Sequence, residues 1–245
     1  MLWPDTFNDF LRPEVARAAV EVIEATGHRV KVPPRAFCCG RPLYEHGMLS
    51  LARRLLRRAL DALEDDIAAG TPVVVLEPSC AAVFRDELPA MLPHDEHATR
   101  LSGQALLLSE FLERHAADWS PPSLRRRAVV HRHCHHRSVL GFEAEQRVIE
   151  RLGLEAEVVE SGCCGMAGSF GYEERNYELS MACGEQTLLP RVRELDPGAL
   201  LLADGFSCQE QIAHGTGRRA LHLAEALRMT LEPANAGAPA GATGD

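Results

Sequence analysis

Short apolar runs alternate along the chain with stretches of 3.6-residue periodicity, the pattern of buried strands feeding amphipathic helices. Leu2-Trp3-Pro4-Asp5-Thr6-Phe7 reads as a short strand and its exit, and residues 13–26 as a helix stopped by Gly27. Residues 29–32 predict a strand that runs on to Cys38-Cys39-Gly40. A long helix is expected over residues 48–69, stopped by Gly70. A buried strand over residues 72–76 follows and ends at Glu77-Pro78-Ser79-Cys80. The helical stretch 105–115 closes this half.

The same order returns after Ser120-Pro121-Pro122-Ser123. Residues 128–130 lead into His133-Cys134-His135-His136, a helix is expected over 142–152, and a strand over 156–159 precedes Cys163-Cys164-Gly165. A second long helix is expected over 176–195, and the strand 199–203 ends at Asp204-Gly205-Phe206-Ser207-Cys208. The two Cys-Cys-Gly motifs lie 125 residues apart, Cys80 and Cys208 lie 128 apart, and the closing segments beginning at Ala105 and Ala220 lie 115 apart. Near-constant offsets indicate duplication. The expected fold is therefore α/β with two pseudo-symmetric repeats, each a small, mainly parallel sheet flanked by helices. We expect a first repeat over 1–119, a linker over 120–127, a second repeat over 128–232 and a disordered Ala/Gly/Pro-rich tail over 233–245.

Composition narrows the possibilities. A hydrophobic content of 46% in 245 residues supports a full core. The net charge of −9 argues against a nucleic-acid partner, which would need a basic face. The arginine pairs Arg53-Arg54 and Arg57-Arg58 sit at helical spacing among leucines and read as a solvated helix face. No apolar run reaches the length that crosses a bilayer and the N-terminus has no signal-peptide pattern, so a cytoplasmic protein is expected, with any membrane association made through a partner. Eight cysteines in that reducing compartment point to metal ligation or thiol chemistry rather than disulfides.

Every cysteine of the repeat falls where a parallel strand ends, the usual place for functional loops in such sheets. Cys134, Cys163, Cys164 and Cys208 put four thiols at three strand ends, the complement of a 4Fe-4S centre or equally of structural zinc. Adjacent residues on a strand point to opposite faces, so Cys163 and Cys164 can converge only in an irregular loop, which Gly165 permits. An isolated pair of cysteines could be two small buried hydrophobes. Its recurrence at matching repeat positions argues for ligands. Cys183, mid-helix and without a counterpart, is assigned to packing. In the first half Cys38, Cys39 and Cys80 form a second, incomplete set, because the position matching Cys134 falls near Thr6. His46 is a candidate outside ligand. That set could also be degenerate, bind another metal, or lend thiols to a shared site. Around Cys134, an extended chain would put His133 and His135 on one face, so these two are candidate catalytic or proton-relay residues, and a protonated neighbour would favour the Cys134 thiolate.

These motifs resemble the cysteine-rich (CCG) domain family over residues 2–227. The resemblance is carried by Trp3-Pro4-Asp5-Thr6-Phe7, Cys38-Cys39-Gly40-Arg41-Pro42-Leu43, Glu77-Pro78-Ser79-Cys80, His133-Cys134-His135, Gly162-Cys163-Cys164-Gly165-Met166-Ala167-Gly168 and Asp204-Gly205-Phe206-Ser207-Cys208. The chain is most similar to the C-terminal iron-sulfur region of bacterial FAD-linked oxidases of the D-lactate and D-2-hydroxyglutarate dehydrogenase type. It is also similar to the iron-sulfur subunit of glycolate oxidase and to the cysteine-rich subunit of heterodisulfide reductase. The resemblance implies an iron-sulfur cluster held by Cys134, Cys163, Cys164 and Cys208, with Cys38, Cys39 and Cys80 as the pseudo-symmetric set. It further implies electron transfer or active-site completion for a dehydrogenase whose FAD sits on a partner or another domain. Heterodisulfide reductases end each set with Cys-x-x-Cys, whereas Cys208 is followed by Gln209-Glu210-Gln211 and Cys80 by Ala81-Ala82-Val83. A thiol/disulfide reductase and a zinc-stabilised docking module remain the alternative readings. The chain opens almost directly into its first strand, from which we expect the C-terminal part of a longer enzyme, inactive as a dehydrogenase by itself.

Overall fold

The computed structural model describes residues 1–33 and 35–231; the tail expected over 233–245 lies outside them. In chain order the first half contains α1 (Pro13–Ala25), α2 (Arg41–Glu45), α3 (Leu49–Ala62), α4 (Glu64–Ala68) and β1 (Val73–Val74). It continues with α5 (Pro78–Ala82), α6 (Leu88–Met91), α7 (Glu96–Gln104), β2 (Ala105–Leu106) and α8 (Leu108–His115). The second half contains β3 (Arg127–His131), α9 (Glu143–Arg151), β4 (Glu155–Val159), α10 (Tyr177–Glu185) and α11 (Leu188–Arg193). It closes with β5 (Leu200–Leu202), α12 (Phe206–Thr216) and α13 (Leu223–Arg228). All named strand pairs are parallel, in two small sheets flanked by helices, as the α/β reading expects.

The second sheet has the order β4-β3-β5, and Leu221 adds a parallel bridge to Leu202 at its outer edge. The first half repeats this order in abbreviated form. The Lys31 carbonyl accepts from Leu2 N (2.9 Å), Leu2 bridges Val74 of β1, and β1 pairs with β2. The closing segments correspond in detail. Glu110 accepts the Leu107 N–H (2.8 Å) and pairs with Arg85, while Glu225 accepts the His222 N–H (2.9 Å) and pairs with Arg219.

Several expected elements are redrawn. Residues 29–32 form no ladder strand, because Pro33 has no N–H to continue an edge. The expected helix 48–69 breaks at Leu63, where Glu64, Asp65 and Asp66 open a new N-terminus that favours negative charge. The expected helix 176–195 breaks before Pro190, which cannot donate to the Gln186 carbonyl. The stretch 105–115 begins as β2 and becomes helical only at Leu108. The β1 ladder is shorter than the apolar run that announced it.

One buried cluster joins both halves. Val15, Ala18, Ala19 and Val22 of α1 share it with Val130, Leu202 and with Leu223, Ala224 and Leu227 of α13. The cysteine-bearing loops lie along the edges of this common core, at the carboxyl ends of the strands.

Candidate metal centre

Because β3, β4 and β5 are adjacent and parallel, the loops that leave them open on the same edge. Cys134 stands in the helical turn after β3, Cys163 and Cys164 in the loop after β4, and Cys208 in the first turn of α12. Cys163 neighbours both Cys134 and Cys164, and Cys164 neighbours Cys208, closely enough for each thiol to act on the next. Cys163 Sγ also accepts the Gly165 N–H (3.3 Å). These contacts hold Cys163 far below the usual thiol range. The Cys164 contact does the same for buried Cys208, assisted by His131 and His133. Cys134 and Cys164 are pushed up by the neighbouring Cys163 and by burial.

Gly165 supplies the backbone freedom of the loop that holds exposed Cys163 beside buried Cys164. Its φ is +101°, and a Cβ there would lie 2.0 Å from the Ser180 carbonyl oxygen. Gly40, its counterpart, also has positive φ (+85°), but its added Cβ would meet only ordinary contact with Ala52 at 3.6 Å.

His133, Cys134 and His135 offer ligand atoms that all lie within 4.8 Å of one another. The chain is not extended here: Cys134 and His135 begin a helical turn, and His133 Nδ1 accepts the His135 N–H (3.1 Å). The expected shared strand face is therefore replaced by a turn that still brings the two rings to 5.1 Å. Burial, then the charges of His133 and Arg41, lower His135 to about 4.

In the first half Cys39 and Cys80 are buried with their sulfurs 3.0 Å apart, and Cys38 is exposed beside Cys39. The Cys39 contact draws the Cys80 thiol down, but burial and the charges of Asp5 and Glu77 raise it to about 11. Thr6 precedes a π-helical turn, Phe7–Leu11, as Cys134 and His135 precede the π-helical turn His136–Leu140. The local architecture is repeated without the fourth thiol. His46 faces Ser169 Oγ (3.1 Å) in the opposite Cys-Cys-Gly loop. Cys183 is half-buried on α10.

The two cysteine sets face a common interface. The Glu77 carboxylate, wholly buried, accepts from Ser79 N (3.1 Å) beside Cys80 and from Phe206 N (2.9 Å) beside Cys208. His222 Nε2 lies 3.1 Å from the Leu76 carbonyl. Arg41, directly after Cys-Cys-Gly, pairs with Glu87 (2.6 Å) and donates to the Ser79 carbonyl (3.3 Å). Arg41, Glu77 and His222 were not singled out for these roles from the sequence. The available signal was a polar residue directly after an apolar strand run, where a helix N-terminus needs an acceptor.

Sulfurs gathered at three adjoining strand ends are the donors that soft metals and iron-sulfur clusters prefer. Fold and site together define a duplicated parallel α/β protein with cysteine-lined strand ends. The chain belongs to the cysteine-rich domain family, whose profile matches residues 6–85 and again 128–195. It is 31% identical to D-2-hydroxyglutarate dehydrogenase of Pseudomonas putida over 93% of this chain but 22% of that protein. It is 27% identical to one subunit of the anaerobic glycerol-3-phosphate dehydrogenase of Escherichia coli, over 90% of this chain and 57% of that one. Lactate utilization protein A of Geobacillus kaustophilus is 30% identical, over 89% of this chain and 94% of that protein. The chain thus spans about a fifth of the first relative and just over half of the second. Among the described residues no helix is long and apolar enough to cross a membrane.

Proposed function

We propose that this chain is the iron-sulfur module of an FAD-dependent 2-hydroxy-acid dehydrogenase system, with Cys134, Cys163, Cys164 and Cys208 as ligands of a 4Fe-4S cluster. Cys38, Cys39 and Cys80 form a second ligand set with three thiols. The observation that carries the reading is the convergence of Cys134, Cys163, Cys164 and Cys208 at the carboxyl ends of three adjacent parallel strands. Relatives named for D-2-hydroxyglutarate dehydrogenase and lactate utilisation support the substrate class. A bound cluster would supply one-electron transfer. The chain's own groups prepare for it: His131 and His133 favour thiolate at Cys208, and the Gly165 N–H donates to Cys163. Exposed Cys38 and Cys163 leave each set open to a flavin-bearing partner domain or subunit.

Iron and sulfide analysis of anaerobically purified variants tests the ligand sets. Cys134→Ser is expected to lose more iron than Cys80→Ser, because only the second half presents four thiols. The reverse order would put the dominant site in the first half, and zinc in place of iron would sink the electron-transfer reading. With the flavin on a partner, the isolated, reconstituted chain is expected not to oxidise D-lactate, glycolate or D-2-hydroxyglutarate with a dye acceptor. Turnover by this chain alone would move the chemistry onto its own residues.

A further inference from the structure

Behind the cysteine loops lies a line of buried ionisable side chains that thiol ligation does not use. Glu145 is 4% exposed, and its Oε2 finds no hydrogen-bond partner among the described residues. It stands 3.6 Å from His136 Nε2, and both ring nitrogens of His136 are likewise buried without a partner. The His136 ring packs edge-on to His133 (6.3 Å between centroids), whose Nδ1 lies 3.9 Å from Cys134 Sγ. The charge of Asp204 also acts on the Glu145 carboxyl, and Asp204 accepts the Leu223 N–H (2.8 Å) and faces His222 Nδ1 (3.7 Å).

Glu145 also lines a pocket of about 220 Å³ that opens to solvent between α8 and α9. The charged groups around this opening are Glu110, Glu113 and Arg114 of α8 with Glu143 and Arg147 of α9. Arg147 is already paired with Glu113 (2.5 Å), and Glu143 accepts the Phe142 N–H (3.0 Å). Glu145 is therefore the carboxyl placed between water on one side and the histidines of the cysteine site on the other. Leaving a buried carboxylate oxygen unpaired is costly; a proton removes most of that cost.

We propose that Glu145 holds the proton that offsets negative charge arriving at the cysteine site, exchanging it with solvent through the α8–α9 pocket. The inference rests on the cluster reading above. One electron enters from the reductant, reduced flavin in the complete enzyme or dithionite in the test, and one proton enters from water onto Glu145. The direction follows from electrostatics. Burial, and after it the neighbouring Asp204 charge, raises Glu145 well above the usual carboxylate range. Added negative charge nearby raises it further. As pH rises, the oxidised protein loses this proton first and the reduced protein only later. Between those two points each reduction takes up one proton, so the potential falls with pH. Below them Glu145 is protonated in both states and contributes no dependence.

The test uses the full chain, anaerobically loaded with iron and sulfide and titrated with dithionite from neutral to alkaline pH. The wild-type potential is expected to be flat near neutrality and then to fall, approaching about 59 mV per tenfold change in proton concentration for a one-electron couple. Glu145→Gln, nearly isosteric and permanently neutral, is expected to flatten that fall while leaving iron content and melting temperature unchanged. Infrared spectra of the metal-free chain give an independent reading: a protonated-carboxyl band at neutral pH that Glu145→Gln removes. An unchanged pH profile in the variant, or no band lost, overturns the proposal. Failure of the wild type to hold iron would instead strike the cluster assignment, and the infrared band alone would then decide for or against a proton on Glu145.

Discussion

Cys163→Ser and Cys164→Ser are each expected to strip most of the iron from the purified chain, whereas Cys183→Ser is expected to retain nearly all of it. Cys163 neighbours both Cys134 and Cys164, and Cys164 neighbours Cys208, so either substitution divides the sulfur set at its middle. Serine keeps the shape but presents a hard, weakly acidic oxygen in place of a soft thiolate. Removing an outer-shell partner already lowers metal affinity roughly 10–100-fold, and a direct ligand should cost at least as much. Cys183 sits on α10, outside that set. Iron and sulfide determination on the three proteins, prepared side by side without oxygen, decides the matter. Equal loss in all three would remove the ligand assignment.

Gly165→Ala is expected to be the most damaging single-methyl change in the site. The added Cβ would lie 2.0 Å from the Ser180 carbonyl oxygen, a backbone atom that cannot swing aside, and φ of +101° is itself hostile to an L-residue. Strain and overpacking together should cost about 3–5 kcal/mol. In a chain of this length that corresponds to a fall in melting temperature of about 10 °C. Gly40→Ala is the internal comparison. Its φ is similar, but its Cβ meets Ala52 at 3.6 Å, so only the backbone strain of about 1–2 kcal/mol remains. Thermal melts of the two variants should separate clearly. Similar small losses would mean that the second loop relaxes away from Ser180.

The duplication was legible in the sequence because it rests on covalent spacing: Cys38 and Cys163, Cys80 and Cys208, Glu110 and Glu225 keep their offsets whatever the fold does. The ends of β3, β4 and β5 were legible for a related reason, since each apolar run stops at a polar or glycine-rich loop. Helix continuity was less so. The breaks at Leu63 and before Pro190 leave the amphipathic period nearly intact on both sides, so periodicity alone reads through them. Strand length was misjudged at β1, where the apolar run reflects burial and the ladder needs a partner within reach. The buried acids were the least accessible part. The helical period puts Glu145 on the face of Val148, Ile149 and Leu152, opposite to Glu143, but nothing in the sequence announces its approach to His136.

The packing of α1 against α13 has a consequence for how the protein is made. Among the described residues the first α-helix is matched with the last, so their shared core is assembled from contacts of very large sequence separation. During synthesis the core around Ala18, Ala19 and Val22 is incomplete until Leu223 to Leu227 have been made. Such an interval is an opening for chaperones and for aggregation. The fasteners beside the first cysteine set, Glu77 to Phe206 and Leu76 to His222, also depend on residues translated late. The loop that carries Cys80 is thus fastened in part by residues translated well after it.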